Sequence, residues 1–534
     1  MAVITPQSDV YLLKVPLEID EANQLTFSDA TAQHNYFNSL PKIYVDNFTY
    51  QRKDGTIRYG ANFDSIIQYN YVMYRNDAYS NKWFYAFITD MEYLNDNVTA
   101  ISIKTDVFQT WQFSLQYKRT FVEREHVNDD TIGVNTIDEG LELGEHVINS
   151  STTLKPNKTT TDHDGNAISW VYPIVFQATE ITGDLAEATN YYNSEFNGIF
   201  SGLYYFACTS LTQARLVINA YDSDGKADAI VAIFLAPKEF FNGAYKVSGG
   251  GKTIYVPANT ATLSNLLDST TITRPTKLNG YTPKNNKLFT WPFSYVYVDN
   301  NTGISTDFRY EDFANATPKF FMAGALGQGC TTKLCPISYK GYTANAEVFE
   351  YGLVGAKYPI CAWKSDYYTN WVTQNAVNLN VSVASTAASA AINASYGNYV
   401  GAGTSLLSGI GSVMGQVHAA KIHPDQARGN TNSSDILPAW QRYFTVDCMS
   451  VRAEVARSID NFFDMFGYKV NRVKVPNITG RRNWNYVKTI GCYIDGNIPQ
   501  DDMQEIKEMF NRGVTLWHHA STFADYSQNN DIIT

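Results

Sequence analysis

Residues 376–420 read AVNLNVSVASTAASAAINASYGNYVGAGTSLLSGIGSVMGQVHAA, and they lie within a longer stretch, Tyr367 to Ala420, that holds no Asp, Glu, Lys or Arg. The chain's average of 17% charged residues would place about nine in those 54 positions, so the gap needs a physical reason. Of residues 376–420, 23 of 45 are Ala, Gly or Ser, and charge returns only at Lys421. A membrane span needs about 20 predominantly apolar residues. This stretch is interrupted by Asn378, Asn380, Asn393, Asn398 and seven Ser, so one copy inserts poorly as a lone helix. Gly411 and Gly415 have the GxxxG spacing that lets helices approach closely in lipid, and several copies side by side satisfy polar groups that one copy cannot. The positions expected to form a membrane-active face are Ala376, Val381, Val383, Ile392, Tyr396, Tyr399, Val400, Leu406, Leu407, Ile410, Gly411, Val413, Met414, Gly415 and Val417. A long soluble loop or a buried helical hairpin is the competing reading. A Gly/Ser linker fits less well, because such linkers carry few Val, Leu or Ile.

Outward from this stretch, the chain of 534 residues has ample material for several domains. Aromatic residues make up 14%, with 37 Tyr, and such side chains favour pleated, half-buried surfaces. The expected class is therefore mainly β with some α. A net charge of −11 argues against a protein that grips phosphates, yet it suits nucleic acid sliding past without sticking. Residues Met1 to Asp9 show neither a cationic segment nor a long apolar run, so secretion is not expected. Six scattered cysteines form no disulfide framework, and free thiols in a reducing cytoplasm are expected.

Residues 1–125 read as strands with one helix. Val10–Leu17, Ile43–Tyr50, Ile66–Tyr74 and Trp83–Thr89 are expected strands. Ser28 is the expected cap of a helix ending before Pro41, and Asn95-Asp-Asn97 is the expected turn of a hairpin. Residues 126–365 stay β-like, with Ser169–Phe176, Gly202–Cys208 and Trp291–Val298 the clearest strands. An uncharged loop fills 366–435. Within 436–534, Val451 to Phe466 keeps helical spacing, with Ser450 as cap and Gly467 as stop. Val470–Val475 and Trp484–Ile490 alternate as strands, and a second helix, Asp501 to Arg512, ends at Gly513 before a last strand, Val514–Trp517.

Motifs for chemistry fail on inspection. Ser248-Gly-Gly-Gly-Lys-Thr253 lacks the first glycine of a phosphate-binding loop, since Lys246 stands there, and reads as a hairpin turn. Asp222-Ser-Asp-Gly225 reaches its glycine too early for a calcium loop. His518-His519 stands alone and reads as an exposed pair. Acid–base use of Glu123, Glu125, Asp138 and Glu139 needs a fixed separation that sequence does not supply. No catalytic residue, cofactor or metal ligand is expected.

Three stretches carry a resemblance: Asp106-Val-Phe-Gln-Thr-Trp111 running into Phe121-Val-Glu-Arg-Glu-His126; Arg274 to Phe293; and Gly467 to Pro476 with Arg481-Arg-Asn-Trp-Asn-Tyr486. In this order they resemble the tail knob (distal tail tube) proteins of small short-tailed phages of the Picovirinae type. The resemblance implies β domains of the tail-hub and tube kind, arranged as a six-fold ring. It divides the chain into the first part of a tube-forming β module (1–125), inserted or distal β domains (126–365), a membrane-active plug loop (366–435) and an α+β segment completing the tube module (436–534). It also implies a virion protein at the distal end of the tail, assembled in the host cytoplasm. Its implied partners are sister copies, other tail proteins, viral DNA passing through the lumen without specific binding, and host cytoplasmic membrane lipid. The loop of this chain departs from that family in being dominated by Ala, Ser and Gly rather than bulky apolar residues. A second reading stays open: a tail-tip adhesin whose 126–365 region binds cell-wall carbohydrate through aromatics such as Tyr191, Tyr192, Tyr204 and Tyr205.

Overall fold

The computed structural model describes residues 8–45, 55–76, 81–168, 173–191, 204–226, 229–258, 264–301, 303–325, 331–341, 353–355, 362–365, 429–432 and 444–533. Tyr367 to Ala420, with every candidate position from Ala376 to Val417, lies outside the described residues. The chain divides into two compact units: Met1–Leu143 with Pro283–Leu288 and Glu454–Thr534, and Gly144–Thr282 with Phe289–Ala453.

The first unit opens with β1 (Ser8–Leu13), β2 (Asn23–Leu25), α1 (Ala30–Ser39), β3 (Lys42–Tyr44), β4 (Thr56–Tyr59), α2 (Phe63–Ile66), β5 (Tyr71–Asn76), β6 (Phe84–Asn95), β7 (Val98–Thr105), α3 (Val107–Trp111), β8 (Leu115–Tyr117) and β9 (Thr120–Glu125). Six of the strands form one sheet, in the order β3-β1-β5-β6-β7-β4. Successive strand residues face opposite sides, and β5 is buried on both. Its Val72 and Tyr74 join Val10, Leu12 and Ile101 on one face, while Tyr71 and Met73 join Leu13, Phe37 and Tyr85 on the other. The helix cap is Asp29 rather than the expected Ser28. The Asp29 carboxylate accepts the N–H groups of Thr31 and Ala32 at 2.8 Å each, satisfying donors that have no partner inside the helix. The expected strand Ile66–Tyr74 is also shortened, because Asn62 caps α2 through the Asp64 N–H and the strand starts at Tyr71. The β6–β7 hairpin turns where expected, with the Asn97 N–H on Asn95 Oδ1 at 2.9 Å.

The second unit contains β10 (His146–Leu154), β11 (Ile174–Ala178), β12 (Tyr204–Cys208), α4 (Leu211–Ser223), β13 (Ile230–Leu235), β14 (Tyr245–Gly249), β15 (Lys252–Val256), β16 (Ser264–Thr271), β17 (Ser294–Asp299), β18 (Ser305–Phe308), β19 (Lys319–Ala325), β20 (Thr331–Pro336), β21 (Leu353–Gly355), β22 (Ala362–Ser365), β23 (Gly429–Asn432) and β24 (Phe444–Val451). They form three sheets, β10-β24-β17-β18, β14-β15-β12-β11-β13-β22-β23 and β16-β19-β20-β21. Helix α4 was not anticipated in a region read as β throughout. Ser210 Oγ caps it on the Gln213 N–H, and Ala214, Val217 and Tyr221 bury one face.

The chain then returns to the first unit through α5 (Ala453–Phe466), β25 (Tyr468–Lys474), β26 (Trp484–Ile490), β27 (Ile494–Gly496), α6 (Gln500–Arg512) and β28 (Val514–Trp517). Ser450 is not the cap of α5, because it belongs to β24, paired with Val147 and Ser294. The stop at Gly467 holds: its φ of +64° is the left-handed conformation a helix end needs, and Gly513 closes α6 at +101°. These strands make a second sheet, β2-β28-β26-β9-β25, over the paired rings of Trp484 and Trp517, whose centroids are 5.0 Å apart.

Candidate functional site

Two places hold what the sequence singled out. The first is the stem of the uncharged stretch. Strands β22 and β23 pair antiparallel, with Ala362 opposite Asn432 and Ser365 opposite Gly429. They are the last two strands of the seven-stranded sheet, where β22 also pairs with β13 through Ala232 and Lys364. The described strands on either side of residues 366–428 are therefore hydrogen-bonded neighbours at one edge of that sheet.

The second place is inside the first unit, where the three stretches that carried the family resemblance meet. From the segment Pro283–Leu288, Lys284 and Asn285 donate their N–H groups to Asp460 of α5 at 2.7 and 3.0 Å, and Asn285 Nδ2 adds a third bond at 2.8 Å. One turn on, Asp464 accepts Lys284 Nζ at 2.6 Å and Asn285 Nδ2 at 2.9 Å. Asp130 accepts the Asn286 N–H at 2.9 Å and the Tyr468 hydroxyl at 2.6 Å. The fully buried Glu139 side chain pairs with Lys287 and Arg124 and accepts the Lys469 N–H at 2.9 Å. Burial raises the Asp130 carboxyl and lowers the Lys287 ammonium, the neighbouring Glu139 charge opposing the latter. Two cations on one buried carboxylate, joined by a backbone N–H donor, is the arrangement that makes buried charge tolerable.

His126 sits beside this cluster as a neutral ring. Its Nδ1 accepts the Tyr486 N–H at 2.7 Å, so Nε2 carries the proton and donates to the Asp464 carbonyl at 3.0 Å. Burial first, then the Arg481 charge, pulls its pKa down to about 3. Sequence reasoning missed Asp460 in this role, although a signal existed: it falls among Ala456, Ile459 and Phe463 on the buried face of α5. An aspartate on an apolar face requires a partner.

The carboxylates weighed for acid–base work are structural. Glu125 is buried against Lys474 and the Asn477 N–H, Glu139 is held as above, and Glu123 meets Lys488 at 3.0 Å. The Ser248–Thr253 stretch forms the β14–β15 turn, with Gly250 and Gly251 at positive φ. His518 is not an exposed ring: it is half-buried between Thr26 Oγ1 at 2.9 Å and Asn485 Oδ1 at 3.0 Å. Among the described residues there is no group of side chains suited to a metal ion, and no helix long and apolar enough to cross a membrane. Cys208, Cys335, Cys448 and Cys492 are free and buried, while Cys330 and Cys361 lie outside the described residues. Of the tyrosines considered for carbohydrate binding, Tyr205 is buried in the core, Tyr191 stacks on Tyr245 at 4.5 Å, Tyr204 is half-buried and Tyr192 lies outside the described residues.

Comparison with known proteins agrees with this architecture. Residues 259–531 match the family described as the C-terminal domain of tail knob protein gp9 of Bacillus phage phi29, and residues 7–116 match the N-terminus of the caudoviral major tail protein. The chain is 26% identical to tail knob protein gp9 of Bacillus phage PZA and 25% identical to that of phi29, each over 98% of both chains. The tail knob protein gp12 of bacteriophage C1 shares the fold, with a TM-score of 0.65 and 15% identity over 98% of this chain and all of that one. With the gp9 family match covering just over half of its length, the chain belongs to the phage tail knob family and is a structural component of a virion tail, assembled with other tail proteins, rather than an enzyme.

Proposed function

We propose that this tail knob protein forms a hollow ring, six-fold as its family resemblance implies, at the distal end of the tail and serves as a conduit for genome ejection. Its uncharged stretch plugs the bore before ejection and enters the host cytoplasmic membrane afterwards. The observation that carries the reading is the charge-free run of Tyr367–Ala420, flanked by described strands that are neighbours at one sheet edge. A run without charge is cheap to bury, first among sister copies in the bore and then in lipid, so the same residues have two burials of comparable cost. A ligand as large as incoming DNA, present in only one state, is enough to move the balance. The acidic chain, at −11, lets that DNA pass without a phosphate-gripping surface.

Dye release from liposomes tests the membrane step. The full chain is expected to leak vesicles, and a chain lacking residues 376–420 is expected to assemble without leaking them. Equal leakage from both ends the proposal.

A further inference from the structure

In the second unit the sheet β10-β24-β17-β18 packs the core with one of its faces. Val296, Val298, Phe308, Val446 and Cys448 lie in that core, so the residues alternating with them share the opposite face. There one cross-strand row reads Ser151–Asp447–Tyr297–Asp307, and the next sets Ile148 and Met449 beside Tyr295. Trp291 meets the Tyr295 ring edge-on at 5.1 Å, and the Arg309 guanidinium lies over the indole at 4.9 Å. Ile148 is 58% exposed, and Ser151 and Asp307, at the two ends of the first row, are exposed as well.

Asp447 departs from the other buried carboxylates of this protein. Glu125, Glu139 and Asp460 each gather cations or N–H donors. Asp447 is also enclosed, at 8% exposure, yet its Oδ1 meets no hydrogen-bond partner among the described residues. A buried acceptor without a donor is costly, and functional sites are where such costs are kept. This one sits between Ser151 and Tyr297, in a row open to solvent at both ends.

We propose that this face binds an amino-sugar saccharide, stacked on Tyr297 and Tyr295 with a hydroxyl or ammonium group donating to Asp447. A pyranose has an apolar C–H side that suits an aromatic ring and a rim of O–H donors that suits a carboxylate. Tyr and Trp offer such contact area at low conformational cost, because few torsions need fixing. Charge selects the sugar. Asp299 shares the face with Asp307 and Asp447, so three carboxylates stand against the Arg309 guanidinium. An anionic saccharide is repelled there and a free amine is attracted. The tyrosines weighed from the sequence are not part of it, since Tyr204 and Tyr205 lie on β12 of a different sheet. The site is independent of the ring and of the uncharged stretch, so neither proposal falls with the other.

Calorimetric titration of the full chain with a glucosamine tetramer tests it, alongside Asp447→Ala, Tyr297→Ala and a galacturonate tetramer as the anionic counterpart. Asp447→Ala removes an acceptor that has no donor, so this variant is expected to melt no lower than the unaltered chain. Saturable binding of the glucosamine tetramer is expected, weakened by about tenfold or more in either variant. The galacturonate tetramer is expected to bind the unaltered chain more weakly by a similar factor. Absence of saturable binding overturns the proposal, as does binding that Asp447→Ala leaves unchanged. Equal affinity for the two tetramers overturns it through the charge argument. A lower melting temperature in Asp447→Ala reveals a partner within the chain and overturns it too.

Discussion

The Asp460 carboxylate accepts the backbone N–H of Lys284 at 2.7 Å, joining two residues far apart in the chain within the first unit. Three donors converge on that side chain, which is fully buried. Asp460→Ala leaves them unpaired and is expected to cost about 3 kcal/mol of unfolding free energy, because each stranded buried donor costs about 1–3 kcal/mol. Asp460→Asn keeps one acceptor oxygen and should lose roughly half as much. Urea melts of both variants check the order.

Gly467 allows no side chain. A Cβ there would lie 2.1 Å from the Glu125 carbonyl oxygen, and its φ of +64° strains any L-residue. Gly467→Ala is expected to destabilise by about 2–4 kcal/mol, strain and displaced β9 backbone together. A thermal melt reads the shift.

The indole pair under the second sheet is the largest fully buried packing element of the first unit. Trp484 donates from Nε1 to the Asp464 carbonyl and Trp517 to Asn23, both at 2.9 Å. Trp484→Ala opens a cavity and is expected to cost about 3–5 kcal/mol. Trp484→Phe should cost clearly less, and calorimetry separates the two.

Acid acts on His518 and Asp106 with opposite signs. Burial, aided by His519, holds the His518 ring down to about 4, against an unfolded value near 6.5. Between those pH values the unfolded state binds the extra proton. The contribution of His518 is therefore intact above about pH 6.5 and falls as pH drops, by up to about 1.4 kcal/mol per unit. Burial pushes Asp106 up to about 7, against about 3.9 unfolded, so its contribution falls as pH rises through that window. His518→Gln should flatten the acid loss of stability between pH 6.5 and 4, and Asp106→Asn should steepen it. Urea midpoints at pH 5, 6 and 7 decide.

What was legible in the sequence was local. The alternation in Trp484–Ile490 and the short strand read after Gly513 at Val514–Trp517 located β26 and β28 to the residue, and Gly467 and Gly513 located both helix ends, because these signals are local. Helix α4 was readable from Ala214, Val217 and Tyr221 at helical spacing, but the β-rich surroundings masked it. Lys284 to Lys287 looks like any polar loop, and its partners are remote: those of Lys284 and Asn285 lie 175 or more positions away on α5, and Asn286 and Lys287 reach Asp130 and Glu139, 156 and 148 positions away, so no local pattern marks it. The stem pairing of Ala362–Ser365 with Gly429–Asn432 was equally hidden, since neither strand alternates. For the uncharged stretch the sequence stated a chemistry without stating a shape.

Electron microscopy of the purified protein tests the central claim most directly, comparing the full chain with one lacking residues 376–420. The account predicts hollow rings from both, with the bore filled in the full chain and clear in the shortened one. Solitary monomers, or bores that look the same with and without those residues, would contradict it.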